Sequence, residues 1–331
     1  MIAFVSPRGT SSFAHRPWSI LPSRIAELTG QEVAVISDVQ RDQPTSISQL
    51  VVASNFSRGL EIARKSRIPV DARFLIVLEP SATSPGLHSA KIVREFGHVF
   101  VPSHMWKLVD NQQVFNWPQD VSPTLLDPQS TFGATLIAAN KFSAAPDSQY
   151  ALRRQIIRAF DEKGIPLAVV GPGWTESFTS RVKKLGKAVL SQSRWKARVS
   201  PSRLLDGALR TPKFPLGFVS EKAKALSLAP VSIVVENSPD YVSEKVIDCI
   251  RCGIVPVYVG PSLSAFGIPS EIGLEVGPDA KEVVSRFTEL DSREIQERRR
   301  LGLEWLGSEH AASLSSIVVL DNLASRIAKM I

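Results

Sequence analysis

The chain has 331 residues, 44% of them apolar and 21% charged, with two cysteines and a net charge of +7. The length fits two domains better than one core, and the composition is that of an ordinary globular protein rather than a disordered or fibrous one. Two cysteines exclude a disulfide framework, no apolar run reaches the roughly 18 to 20 residues of a membrane span, and the positive balance favours an acidic ligand without choosing among nucleotide, nucleic acid and lipid.

Short apolar runs alternate with helical periodicity along the first part. Ile2–Val5, Glu32–Ile36, Gln49–Ala53, Phe74–Leu78 and His98–Val101 read as strands, with helices near Pro22–Leu28, Arg58–Lys65 and Ser89–Glu95. Met1-Ile-Ala-Phe-Val reads as a strand with no basic segment before it, so no signal peptide is expected there. His15, just after the first strand, reads as a loop residue or as one facing an acceptor. The Pro-rich, polar stretch from Asn116 to Ser130 reads as a linker.

The pattern then restarts. Thr135–Ala139 and Leu167–Val170 read as strands, and Tyr150–Lys163 and Ser177–Leu185 as helices. Gly171-Pro-Gly-Trp174 follows a strand and offers a turn where backbone approaches a ligand closely. Arg298, Arg299 and Arg300 lie among Asp291, Glu294 and Glu297, the composition of a solvated helix face. Alternation twice over, with a break between, predicts two Rossmann-like domains of the α/β class. The boundaries expected are 1–128, 129–308 and a terminal amphipathic helix over 309–331, placed by analogy back on the first domain.

The most informative stretch is Val231-Ser-Ile-Val-Val-Glu-Asn-Ser-Pro-Asp-Tyr-Val-Ser-Glu-Lys245, followed by Gly253-Ile-Val-Pro-Val-Tyr-Val-Gly260. Two β-branched runs one helix apart make a βαβ unit of a buried parallel sheet. Its polar residues fall where such proteins bind ligands, at the carboxyl end of a strand. Ser238 or Asp240 is a candidate N-cap with Pro239 in the first turn, which would put Tyr241, Glu244 and Lys245 on one helix face. Amides at a helix start together with Lys245 suit an anion, and Glu244 suits hydroxyls. The plainer alternative is an amphipathic helix with a solvated Glu–Lys pair. Cys249 and Cys252 lie deep in that helix rather than at its start, which suits inert thiols better than a redox pair.

These residues resemble the donor-binding signature of glycosyltransferase family 10, the α-1,3/4-fucosyltransferases: Glu-Asn-Ser, then Tyr-Val-Thr-Glu-Lys, then Gly-x-Val-Pro-Val and a further glycine. Ser243 stands where the family has threonine. The likeness spans about thirty residues and fades elsewhere. It implies a GT-B architecture, two Rossmann-like domains facing across a cleft, with GDP-fucose as donor and a glycan as acceptor. Glu236, Asn237, Ser238, Tyr241, Glu244 and Lys245 are then donor-binding residues. Arg153, with Arg154 beside it, matches the family's diphosphate-contacting arginine, and a planar guanidinium suits phosphate. Glu79, at the end of the Phe74 strand and beside Pro80-Ser81, matches the region of the general base; the plainer alternative is a loop-capping glutamate.

No Asp-x-Asp occurs in the chain, so the resemblance implies inverting, metal-independent transfer without a cofactor, in a bacterial-type cytoplasmic enzyme. The heads of Arg153 and Lys245 are expected to be solvent-accessible. The alternative is a catalytically silent relative that binds the nucleotide-sugar. No nucleic-acid module is recognisable, no span crosses a membrane, and peripheral membrane contact stays open.

Overall fold

A computed structural model describes residues 1–6, 17–36, 46–194, 212–219 and 221–331. His15 lies outside them. The chain divides into two compact units: Met1–Gln119 with Ser313–Ile331, and Asp120–Ala312.

The first unit is built on six strands: β1 (Ile2–Val5), β2 (Val33–Ile36), β3 (Gln49–Ala53), β4 (Arg73–Ile76), β5 (His98–Val101) and β6 (Gln113–Val114). They pair in parallel in the order β2-β1-β3-β4-β5-β6. Parallel strands need crossovers, and the helices Ile20–Thr29 and Phe56–Lys65 supply two of them. Gly30 ends the first helix in the left-handed conformation, its N–H returning to Ala26 O, where a side chain would be strained. The terminal helix Ser316–Ala328 packs on Ile20–Thr29, and Arg24 Nε lies 3.0 Å from Asp321 Oδ1 across that contact. Val319, Leu320, Leu323 and Ile327 enter one buried cluster with Phe4, Ile25 and Phe74.

The second unit repeats the plan with β7 (Ala134–Ile137), β8 (Leu167–Val170), β9 (Pro215–Gly217), β10 (Val231–Val235), β11 (Val255–Val259) and β12 (Leu274–Glu275). All pair in parallel, in the order β12-β11-β10-β7-β8-β9. In sequence terms this is 6-5-4-1-2-3, the doubly wound Rossmann order. β10 and β11 are buried throughout, which is why they read as unbroken apolar runs.

Pro256 sits inside β11 without breaking it. Val255 N–H goes to Pro230 O on the β10 side, so the next nitrogen faces β12. The short β12 begins only opposite Val257, and the missing proline N–H leaves no ladder bond unmade. Three edge strands, β6, β9 and β12, were not expected from the sequence; each has two or three residues.

Leu323 is fully buried between the terminal helix and the first sheet's core. Leu323→Ala should destabilise the protein by about 2–5 kcal/mol, the usual range for such a truncation. Urea denaturation measures this, and an unchanged midpoint would contradict the packing of the terminal helix.

Candidate functional site

The second unit's strand order reverses between β7 and β10. Carboxyl ends of strands flanking such a reversal diverge and leave a crevice, where doubly wound sheets bind ligands. Glu236, Asn237 and Ser238 follow β10 directly, and the segment running to the helix Tyr150–Glu162 follows β7. The sequence-expected residues of this unit gather at that edge.

Glu236 is fully buried, and both its oxygens are engaged. Oε1 accepts the Ser243 N–H at 2.9 Å, and Oε2 accepts the Ser243 hydroxyl and the Lys245 ammonium, each at 2.7 Å. Lys245 Nζ also donates to Ser243 Oγ at 2.7 Å. Two of the three ammonium donors are thereby used within the triad. The Lys245 side chain keeps 19% exposure, against none for Glu236.

This triad moves the helix start expected from sequence. The helix spans Glu244–Arg251, with Ser243 as an extended N-cap, its Oγ accepting from Lys245 N. Ser238 Oγ instead donates to Asp240 Oδ1, so the two candidate caps bond each other. Tyr241 therefore lies in the loop, buried, and shares no helix face with Glu244 and Lys245. A single tertiary carboxylate overrides a plausible local cap.

Arg153 also departs from expectation. It lies in the first turn of Tyr150–Glu162, yet it is 3% exposed. One guanidinium nitrogen donates to Val235 O at 2.6 Å and to Asn237 Oδ1 at 2.9 Å, and the head lies 5.0 Å from the Tyr150 ring centroid. Burial lowers the guanidinium pKa, while Tyr150, Glu236 and Tyr241 work the other way. The helix start is tied to the same strand end, because Gln149 N–H donates to Asn237 O at 3.1 Å. Arg153 and Lys245 thus bracket residues 235–237 from two helices. Arg153 Nε, Gln149 Oε1 and Asn140 Oδ1 are buried with no hydrogen-bond partner among the described residues. Arg154 points elsewhere, donating to Lys141 O at 3.0 Å.

Glu244 is half-exposed and lies 3.6 Å from Lys222, a residue the sequence reading missed. Burial works against its charge, but Lys245 and Lys222 outweigh that and hold the carboxyl below its usual range. Lys222 also bonds Asp248 in the next turn. Cys249 and Cys252 are buried and free, the first near the end of the short helix and the second just past it. Burial pushes the Cys249 thiol up to about 12, which suits an inert thiol.

The Gly171-Pro-Gly-Trp turn packs against the loop that follows β7. Gly171 has φ 140°, and a Cβ there would lie 2.3 Å from Ala138 O. Trp174 Nε1 donates to the same carbonyl at 2.6 Å, and Asn140 Nδ2 to Gly173 O at 3.1 Å. The glycines let the β8 turn press on the loop after β7.

Glu79 belongs to the other unit, three residues past β4, partly buried, with its carbonyl 2.9 Å from His88 Nε2. That places it at the carboxyl edge of the first sheet. Of the arginine triplet, Arg298 reaches Gly273 O and Glu294, Arg299 reaches Leu126 O, and only Arg300 is a largely solvated pair-maker with Glu297 and Glu304.

Arg153→Ala should destabilise the folded protein, because Val235 O and Asn237 Oδ1 lose a buried donor, at about 1–3 kcal/mol per group left unpaired. Glu236→Ala should cost toward the lower end of the roughly 3–5 kcal/mol for breaking a buried pair, since Lys245 keeps some solvent. Urea midpoints test both. A wild-type midpoint for Arg153→Ala would show that the head is not structural.

No family model matches the chain, and no curated protein matches its sequence. Solved structures do match in shape. Anabaena HepE, in complex with UDP and glucose, superposes with a TM-score of 0.60 at 11% identity, covering 99% of each chain. An alpha-glucosyltransferase in complex with UDP and a DNA 13-mer gives 0.55 at 13% identity, over 98% of this chain and 99% of that one. A glycosyltransferase from Rickettsia africae gives 0.54 at 10% identity, over 99% and 98%. Identity this low carries the fold and nothing finer: the chain has the GT-B fold, built on two parallel six-stranded sheets.

Proposed function

We propose that the chain is a glycosyltransferase that holds a nucleoside-diphosphate sugar at the carboxyl edge of its second sheet and transfers the sugar to a hydroxyl of a glycan. The observation that carries this reading is the pair Arg153 and Lys245 bracketing the end of β10, where the strand order reverses. A diphosphate leaving group needs positive charge in a place sheltered from water. Lys245 offers the N–H that its triad leaves unused, and Arg153 its orphaned Nε. The complexes of HepE and the alpha-glucosyltransferase with UDP support a nucleotide donor on this fold.

The finer reading is GDP-fucose as donor, transferred with inversion and without a metal. It rests on the Glu236-to-Gly260 signature, with Asn237, Ser238, Tyr241 and Glu244 shaping the donor pocket. Glu79 is the general base that takes the acceptor's proton. One specific observation favours a second donor: those two fold neighbours were solved with a uridine nucleotide.

Thermal denaturation separates the two donors. GDP and GDP-fucose should each stabilise the protein, by about 2.7 kcal/mol at roughly a hundred times the dissociation constant, and UDP-glucose much less. A larger shift with UDP-glucose would move the donor to the uridine reading. No shift with any nucleotide would remove the transferase reading.

Glu79→Gln keeps side-chain shape but cannot take a proton. Assayed with EDTA present, it should bind donor as wild type does and transfer about a hundredfold more slowly or worse, with the loss in kcat. Intact turnover would take Glu79 out of the mechanism. A wild-type protein that binds the donor yet neither transfers nor hydrolyses it, across a broad acceptor panel, would be the silent relative instead.

A further inference from the structure

The chain's positive charge is concentrated. Residues 178–213 hold ten Lys or Arg and one acid, a net +9 against +7 for the whole chain, so the remainder is slightly acidic. The helix Phe178–Arg194 carries part of that excess and contains no Asp or Glu.

Its apolar residues Phe178, Val182, Leu185 and Val189 recur at i, i+4, i+7 and i+11, one stripe of a helix. A stripe of that kind is ordinarily covered, as Ile156, Ile157 and Phe160 of Tyr150–Glu162 are. Here only Leu185 is half-buried: Phe178 is 61% exposed, Val182 46%, Val189 37%, and Leu190 to one side of them 72%. The helix is held to its unit along the edge that adjoins the stripe, where buried Arg181 donates to Trp174 O at 3.0 Å. Lys183 and Lys187 lie together on one side of the stripe, just past Leu190, roughly 140° and 180° round the helix from Phe178. Neither has an ion pair among the described residues; Lys184 is engaged by Glu176.

Exposed large apolar side chains beside unpaired lysines, on a helix without acids, match a helix lying in the boundary between lipid headgroups and acyl chains. Double-stranded nucleic acid would satisfy the lysines but leave Phe178 and Leu190 in water. No helix of the described residues is long and apolar enough to cross a membrane, so the contact is with the surface. We propose that the Phe178–Arg194 helix docks this protein on an anionic lipid surface, its exposed stripe among the upper acyl chains and Lys183 and Lys187 among the headgroups.

Co-sedimentation of the full chain with vesicles tests this. Phosphatidylcholine–phosphatidylglycerol vesicles should bind it and pure phosphatidylcholine should not, with binding weakening as salt rises. Lys183→Gln and Lys187→Gln should each weaken partitioning about fivefold, from roughly 1 kcal/mol per lysine near an anionic surface. Phe178→Ser and Leu190→Ser should weaken it even at low salt. All four sites are exposed, so unchanged thermal midpoints should show that the variants fold. Absence of vesicle binding, equal binding to neutral vesicles, or indifference to all four substitutions would overturn the proposal. So would lysine-dependent binding to duplex DNA without vesicle binding, which assigns the helix to nucleic acid, or concentration-dependent dimerisation lost in Phe178→Ser, which assigns it to a second copy.

Discussion

At the end of β10 the carboxylate of Glu236 is sealed from water and holds three donors: the Ser243 amide, the Ser243 hydroxyl and the Lys245 ammonium. A bare carboxylate in such a place would be strongly disfavoured, so the loop over residues 237–243 must return to supply those donors. The return fixes Ser243 as the cap of Glu244–Arg251 and brings Lys245 back to the strand it left. The ion pair is thus less a source of net stability than a device that makes one loop geometry the satisfied one.

Arg153 repeats the logic from the other side of the strand-order reversal. Its helix begins after the long loop from β7, and its guanidinium closes onto the last carbonyl of β10 and the amide of Asn237. Two cations therefore meet one strand end, each with part of its hydrogen-bonding capacity engaged by protein and part left over. For a site that receives a diphosphate this arrangement is preorganised: the charges are positioned before the ligand arrives, and little side-chain freedom is lost on binding.

What the sequence made legible follows from what is local. Unbroken runs such as Val231–Val235 and Val255–Val259 announce strands buried on both faces, and their spacing announces crossover helices. The second unit's long strands lie within two residues of their expected bounds for that reason, whereas the helix expected to end at Leu185 runs on to Arg194, and two-residue β12 and three-residue β9 carry no periodicity to read. Ser238-Pro-Asp240 looks like a helix start because capping is a short-range rule; Glu236 overrules it through a bond seven residues away. Arg153 looks like a surface residue because its partners lie 82 and 84 positions later in the chain. Ser243 carries a usable signal for the true helix start, a cap residue directly before Glu-Lys. Lys222 carried none, since nothing near it in sequence marks the carboxylates it reaches.

The central claim is that a nucleoside diphosphate binds where β10 ends. Amide hydrogen exchange, with and without saturating GDP and then UDP, tests it most directly. The effective nucleotide should slow exchange in residues 236–245 and 138–154. Lys245→Met should abolish that slowing when its liganded exchange is compared with its own unliganded exchange, since loss of the Glu236 partner also loosens the end of β10. Protection confined to residues 1–119, or none in 236–245 under saturating nucleotide, would contradict it.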